Sequence, residues 1–365
     1  MNCEVGVADY QTTRLLDYKT NPMHVTVILP TYNRLARLKK VLAGLAAQTY
    51  PDFDVIVVSD GSTDGTDDFL RELAIGDWRL QIDLSAIRNP QSAIRKLTPL
   101  FQPNQGVAAT RNHGLREATG ELVLFIDDDV VPAPQLIAEH VAWHQAQGDD
   151  VVVMGPMLSP PDFAMQPWVQ WEQAMLLKQY DDMVNGRWQP TARQFYTGNT
   201  SLRRQHLLDS GGFDPNFRRA EDVELAYRLA QRGLRFLFNP QAIGYHYAER
   251  SFASWIAIPY AYGRNDVIFT RDKGQSWLLP TIAYEFRHSR HPLIQSLTRL
   301  CLDRPRLSQF VIVASKQIAL LGHRLRLPQL PRLAYSAIFN LRHYQGISDE
   351  LGGKAAFFAL KAEKL

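Results

Sequence analysis

The run Leu122-Val-Leu-Phe-Ile126 passes directly into Asp127-Asp128-Asp129. Five large apolar residues in succession describe a strand covered on both faces, because a half-exposed strand would alternate with polar residues. Three carboxylates at the end of such a strand repel one another and lose hydration, so a compensating cation is expected beside them. Oxygen-only ligands suit Mg2+ or Mn2+, and Mg2+ is often held by one or two carboxylates plus substrate phosphates. A solvated turn of acids is the alternative. The placement at a strand end favours the metal.

A doubly covered strand needs partners of its own kind. Val25–Leu29 is a short apolar run ended by Pro30, and Leu35, Leu38, Val41, Leu42 and Leu45 recur at helical spacing up to Gln48. Asp54–Val58 is a second buried-type strand, followed by Asp60-Gly61-Ser62. Strand, helix and strand with short connections predict a parallel sheet. Asn104-Gln105-Gly106 reads as a turn before a helix through Ala118, and Thr119-Gly120 breaks that helix before Leu122. After Pro156 periodicity weakens. Phe195–Leu202 reads as a strand, Val223–Arg232 as a helix stopped by Gly233, and Leu234–Phe238 and Ile243–Tyr247 as short strands. From about residue 251 the chain reads as mainly helical and basic.

Composition narrows the function. The chain has 365 residues, 45% of them hydrophobic and 21% charged, with a net charge of +3. These values suit a large packed α/β domain with an added segment and leave nucleic acid without an electrostatic case. The two cysteines, Cys3 and Cys301, form no metal-type or disulfide pattern, which suits a reducing compartment. Residues 1–22 lack the apolar core of a secretion signal, and no apolar run reaches a membrane-spanning length. A cytoplasmic protein is expected, with a peripheral contact on the inner face of a membrane. No Gly-x-Gly-x-x-Gly follows the first strand and no P-loop stretch is present.

Several short segments carry a resemblance through their order. They are Val27-Ile-Leu-Pro-Thr-Tyr-Asn-Arg34, Val58-Ser-Asp-Gly-Ser-Thr-Asp64, Asn104-Gln-Gly-Val-Ala-Ala-Thr-Arg-Asn112, Phe125-Ile-Asp-Asp-Asp129, Thr197-Gly-Asn199, Gly211-Gly-Phe-Asp214 and Glu221-Asp222. The set resembles a non-processive family 2 glycosyltransferase over about residues 24–250. The resemblance implies an α/β GT-A fold, with a doubly wound, mainly parallel sheet, helices on both faces and a mainly helical C-terminal extension. It divides the chain into an N-terminal extension (1–23), a catalytic domain (24–250) and a helical segment (251–365). Within the catalytic domain, 24–130 would be the nucleotide-binding half and 131–250 the acceptor half.

The resemblance also implies roles. Pro30, Thr31, Tyr32, Asn33 and Arg34 would line the nucleotide pocket, and Asp60 would hydrogen-bond the base, expected to be uracil. Arg111 and Asn112 would sit near the ribose and diphosphate. Asp127 and Asp128 belong to the donor site, and Asp129 would ligate Mg2+ or Mn2+. Asp222 would be the catalytic base, with Gly198, Asn199 and Glu221 around the donor sugar and acceptor. His246 ends a strand and is read as a further metal or phosphate contact, a satisfied strand-end histidine being the alternative. Acids at a helix start also complement its dipole, so Glu221-Asp222 take their meaning from the whole arrangement.

The sequence departs from the family pattern in places. Ser59 stands where a second aspartate is frequent, and Asn89–Gln102 reads as an insertion. No Gln-x-x-Arg-Trp follows the base, which argues against a processive synthase. The expected reaction moves a sugar from a nucleoside diphosphate sugar to a glycan or lipid-linked acceptor, in polysaccharide or glycolipid synthesis. A nucleotide-sugar-binding protein without turnover and a sugar nucleotidyltransferase are the rival readings. The latter usually carries a Gly-rich basic loop that Pro30-Thr-Tyr-Asn-Arg34 does not match. Between Arg287 and Arg342, Asp303 is the only acid among ten basic residues. There Leu307, Phe310, Val311, Ala314, Ile318, Leu321 and Leu325 share a helical face. This face either docks on an anionic membrane or packs on the catalytic domain.

Overall fold

A computed structural model describes residues 22–75 and 92–364. The expected N-terminal extension lies outside the described residues apart from its last two positions, as do residues 89–91 of the stretch read as an insertion.

Seven strands form the central sheet. In chain order they are β1 (Val25–Thr31), β2 (Phe53–Ser59), β3 (Ile94–Phe101), β4 (Leu122–Ile126), β6 (Val151–Met154), β8 (Asn199–Arg203) and β9 (Arg235–Phe238), arranged β3-β2-β1-β4-β8-β6-β9. All neighbours run parallel except β8, which is antiparallel to both β4 and β6. Three short strands, β5 (Val130–Pro132), β7 (Met157–Leu158) and β10 (Gly244–His246), make a small second sheet in the order β5-β10-β7.

The apolar runs explain the layers. Val25, Val27, Leu29, Val55, Val57, Leu122, Leu124 and Ile126 enter one core, under the helices Leu35–Ala46 and Leu136–Gln147. The alternate residues Ile28, Ile56, Val58, Val123 and Phe125 enter the other core, with Leu225 and Leu229 of the helix Glu221–Gln231. Every one of these strand side chains is buried, and each contributes roughly 1.5–3 kcal/mol by leaving water. This is the expected layering: a mainly parallel sheet with helices on both faces and a helical C-terminal extension.

Three local expectations change. β1 does not stop before Pro30 but continues to Thr31. Pairing with β4 ends at Ile28↔Phe125, two residues before Pro30, and Thr31 bonds on the β2 side, so the proline nitrogen has no ladder bond to lose. The part of the supposed insertion from Ile94 to Phe101 is instead β3, paired in register with β2 as far as Ser59↔Phe101. Arg95, Lys96 and Pro99 disguise it, and they are residues an edge strand tolerates. The third change lies in the aperiodic stretch after Pro156. It holds an 18-residue helix, Pro167–Val184, whose buried stripe includes the polar Gln173, donating to the Met157 carbonyl.

From Phe252 to Ala359 the described chain is helical. The helices Phe252–Asp272 and Gln329–Leu351 touch backbone to backbone at Gly263 and Gly346, where any Cβ would strike the opposing carbonyl of His343 or Tyr260. A third core of Trp255, Ile312, Ala319, Tyr335, Ile338 and Leu341 joins them to the helix Pro305–Arg324. That last helix packs through Ser308, Ile312, Ser315, Ala319 and Gly322. Of its expected apolar face, Leu307 and Val311 are partly buried against this core, whereas Phe310, Ile318, Leu321 and Leu325 are exposed.

β8 is tied to its covering helix by a buried histidine relay. His140 Nε2 meets Asn199 Oδ1 at 2.9 Å, His140 Nδ1 meets Ser201 Oγ at 2.8 Å, and His144 Nε2 meets the same hydroxyl at 2.9 Å. Burial pushes His140 down to about 4 and His144 to about 3, so both rings are neutral in the fold. Unfolding frees them to protonate at their ordinary value. The stability they preserve is complete above about pH 6.5 and is lost as pH falls toward 4. Linkage puts the loss on the order of 2 kcal/mol per histidine at pH 5. Thermal melts at pH 7.5 and pH 5 should show a clear drop in Tm that His144→Gln reduces. An equal drop in that variant would clear the relay of responsibility.

Candidate active site

The carboxyl ends of β1, β2 and β4 open on one side of the sheet, the usual position for a ligand in an α/β fold. β1 delivers Thr31 through Arg34. Asn33 has a left-handed backbone, φ 52°, a conformation asparagine tolerates better than most residues. Its N–H donates to Ser62 Oγ at 3.0 Å and its Oδ1 accepts from the Thr63 N–H at 2.7 Å, which clasps the β1 and β2 loops together. Asp64 Oδ2 accepts from the Leu35 N–H at 3.0 Å and so caps the first helix. Tyr32 remains 49% exposed.

The three aspartates have different surroundings. Asp127 Oδ1 accepts from Arg111 at 2.9 Å. Asp128 accepts from Thr31 Oγ1 at 2.9 Å and from Arg34 at 3.2 Å. Burial nonetheless pushes the Asp128 carboxyl up to about 7, with Asp129 and Asp127 adding repulsion. Asp129 bonds Arg34 and faces His246 Nε2 at 3.5 Å. Burial would raise it, but the contact with His246 and then Arg34 outweighs burial and holds it well below the ordinary carboxylate range. Gly198 stands against this row. A Cβ there would lie 2.6 Å from Met157 Sδ and 3.1 Å from Asp127 Oδ2, so only glycine leaves the carboxylate its space.

No group of three or more His, Cys, Asp or Glu side chains is placed to hold a metal among the described residues. The donor chemistry fits a more sparsely held ion. Asp129 and His246 face each other as one carboxylate and one imidazole, and a hard divalent cation can complete its shell with phosphate oxygens. Arg34 supplies the compensating charge in this arrangement.

The second carboxylate group sits at the start of the helix Glu221–Gln231. Ala220, which precedes it, is a non-glycine in the left-handed region, φ 57°. Glu221 Oε1 accepts from Arg111 at 2.6 Å, so the buried Arg111 bridges Asp127 on β4 to this helix. Burial opposes the charge on Arg111, but Asp127 and Glu221 outweigh it and keep it protonated. Asp222 has no such partner. Burial first, and then the charge of Glu221, push its carboxyl up to about 7 against the pull of Arg111.

Some expected ligand contacts are engaged within the protein. Asn112 Nδ2 donates to the Phe213 carbonyl at 2.7 Å and its Oδ1 accepts from the Phe213 N–H at 2.8 Å, anchoring the loop before Glu221. Asp60 accepts from Gln102 Nε2 and from the N–H groups of Gln105 and Gly106, which leaves its Oδ2 one acceptor position. Asn199 departs furthest from expectation. Its side chain is fully buried and bonds His140 and the carbonyls of Pro156 and Ala242, so its amide organises the scaffold.

Sequence reasoning missed Tyr262. It comes from the first C-terminal helix and remains 43% exposed, and partial loss of water and then the charge of Asp222 push its phenol up. Glu172 and Arg250 pair at 2.5 Å and also act on Tyr262. No local motif announces residues brought together across ninety positions.

The sequence profile of Glycosyl transferase family 2 matches residues 26–211, and that of Glycosyl transferase family group 2 matches residues 122–322. The chain belongs to glycosyltransferase family 2. A validoxylamine A glucosyltransferase of Streptomyces hygroscopicus subsp. jinggangensis is 32% identical over 247 residues, covering 60% of this chain and 54% of that protein. The chain thus spans about half the length of that relative. Among solved structures, a Pyrobaculum calidifontis mannosyltransferase in complex with GDP-Man and Mn2+ superposes with a TM-score of 0.55 at 19% identity, covering 88% of this chain and 87% of that one. Residues 1–349 of Staphylococcus aureus TarS, in complex with UDP, give 0.50 at 18% identity, covering 90% and 92%.

Arg111 is the joint between both acidic groups, and Arg111→Met should leave two carboxylates uncompensated. A loss of roughly 3–5 kcal/mol is expected in urea denaturation. Adding Glu221→Gln should recover part of it. A single variant as stable as the wild type would show that the bridge is not structural.

Proposed function

We propose that the chain transfers a sugar from a nucleoside diphosphate sugar, with UDP as the favoured carrier, to a hydroxyl of a glycan or lipid-linked acceptor, inverting the anomeric carbon. The observation that carries this reading is the contrast between the two acidic groups. Asp129 stays ionised beside His246, while Asp222 is half-buried and pushed up to about 7.

A general base works best when its proton affinity lies near the working pH. Asp222 takes the proton of the acceptor hydroxyl as that oxygen attacks the anomeric carbon. The bond from that carbon to the diphosphate oxygen breaks in the same displacement, which gives inversion. Asp129 and His246 would hold Mg2+ or Mn2+, and the ion would neutralise the departing nucleoside diphosphate. The Mn2+ complex of the Pyrobaculum enzyme and the UDP complex of TarS support these choices. Asp127, Asp128 and the Thr31–Arg34 segment form the donor side, with Asp60 and its one open acceptor position toward the base. Gly198, packed against Asp127 and Met157, would border the donor sugar, with Tyr262 near Asp222 on the acceptor side.

Asp222→Asn keeps the shape and removes the base. Turnover should fall by roughly 10²–10⁴-fold, while donor affinity in a thermal-shift titration stays near wild type. In the wild type, turnover should fall as pH drops below about 7, because Asp222 takes up a proton there. Full turnover in the variant, or loss of donor binding in its place, would remove Asp222 from this role.

The metal is tested at Asp129. Asp129→Asn should nearly abolish turnover and also abolish the stabilisation that Mn2+ gives the wild type together with a nucleotide sugar in thermal shift. Chelator-treated wild type at full turnover would sink the metal reading.

A further inference from the structure

The helix Pro305–Arg324 carries its largest side chains on its outer side. Phe310 is 70% exposed, Leu321 52% and Leu325 57%, while the buried positions are Ile312 and the small residues Ser308, Ser315, Ala319 and Gly322. The exposed apolar surface continues around the turn into the next helix through Leu327 and Leu330. Arg324, Arg326 and Arg332 are exposed at the same end of this helical hairpin. From Arg304 to Ser348 the sequence contains no Asp or Glu. Lys316, the one lysine in that stretch, turns inward and lies 4.3 Å from the Phe252 ring and 5.3 Å from the Trp168 ring.

Clustered leucines beside arginines without any acid match a surface that is apolar within and anionic at its boundary. Arginines alone would also suit the carboxylates of a protein partner; the exposed leucines interleaved with them select a surface that is apolar beneath its charge. No helix of the described residues is long and apolar enough to cross a membrane, so this hairpin would lie in the interface. We propose that the hairpin face Phe310–Leu330 docks on an anionic lipid surface, with the leucines at the headgroup–acyl boundary and the arginines on lipid phosphates.

The docked face is joined to the candidate site. Lys316 packs on Trp168, whose Nε1 donates to the Arg250 carbonyl at 3.0 Å, and Arg250 pairs with Glu172 near Tyr262. For its purpose the proposal rests on the transferase reading, since a docked enzyme would meet a lipid-carried acceptor. Its physics stands apart from that reading.

The test is flotation of the full chain with vesicles of phosphatidylcholine alone or with phosphatidylglycerol added, at low and high salt. Recovery is expected with the anionic vesicles only, and should decline at high salt through screening. Arg324→Gln with Arg326→Gln should weaken anionic-vesicle binding roughly thirtyfold. Leu325→Ser with Leu327→Ser should abolish recovery. These positions are exposed, so both double variants should melt as the wild type does and release nucleoside diphosphate from the donor at the same rate. Equal recovery on both vesicle types, none on either, wild-type binding by both variants, or a leucine-dependent dimer in sedimentation would overturn the docking. Selective vesicle binding without nucleoside diphosphate release from any donor would support docking and overturn the transferase reading.

Discussion

Arg111 is the interaction on which the site depends. It is buried in a helix that packs under the sheet, and it bonds Asp127 at the end of β4 and Glu221 at the start of another helix. Removing one buried ionic partner leaves the others without hydration or compensation, which fixes the relative position of both elements. Asp222 inherits its environment from this joint. It sits one residue beyond Glu221, feels Arg111 without bonding it, and is left as the uncompensated member of the group. An arrangement that satisfied every carboxylate would leave none of this group raised to about 7. The left-handed backbone at Ala220 belongs to the same junction, and strain of this kind persists where the surroundings over-determine a conformation.

The aspartate row at β4 is balanced with the same sparseness. Two arginines, one on each side, meet the three carboxylates, and Asp128 still rises to about 7. The remaining deficit of positive charge is a property of the row, and under the proposed reading it would favour a diphosphate entering together with a cation. A diphosphate alone would add negative charge to a row already short of compensation. A cation alone would find only Asp129 and His246.

What the sequence made legible was set by how local each signal was. The runs Leu122–Ile126 and Asp54–Val58 announced doubly covered strands because burial on both faces leaves no alternation to confuse. The order of short motifs located the loops at the strand ends. β3 was hidden because Arg95, Lys96 and Pro99 are read as loop residues, and the sheet edge is the one place that accepts them in a strand. The helix Pro167–Val184 was hidden by Gln173, a core position filled by an amide with a specific carbonyl to bond. At the site, residue types were readable but partners were not. Asn199 and Asn112 stand in ligand-like motifs, yet their amides are engaged by Pro156, Ala242 and Phe213, contacts that span forty to a hundred positions.

The same contrast governs the C-terminal helices. An apolar stripe in the sequence of Pro305–Arg324 predicts which side chains share a face, but not whether that face looks inward. The third core decides it, because Gly322 beside Pro331 and Leu330, and Ser308 against the Cys301 carbonyl, allow a close approach that leucines could not. Apart from Ile312, small residues therefore took the buried positions, and Phe310, Ile318, Leu321 and Leu325 were left outside. A helix that needed only core contacts would gain more by turning its leucines inward. Its orientation follows from the close packing of the hairpin, which holds Lys316 against Trp168 and Phe252 at the edge of the site. The exposed surface and the Trp168–Arg250–Glu172 contacts are thus positioned by one set of packing interactions.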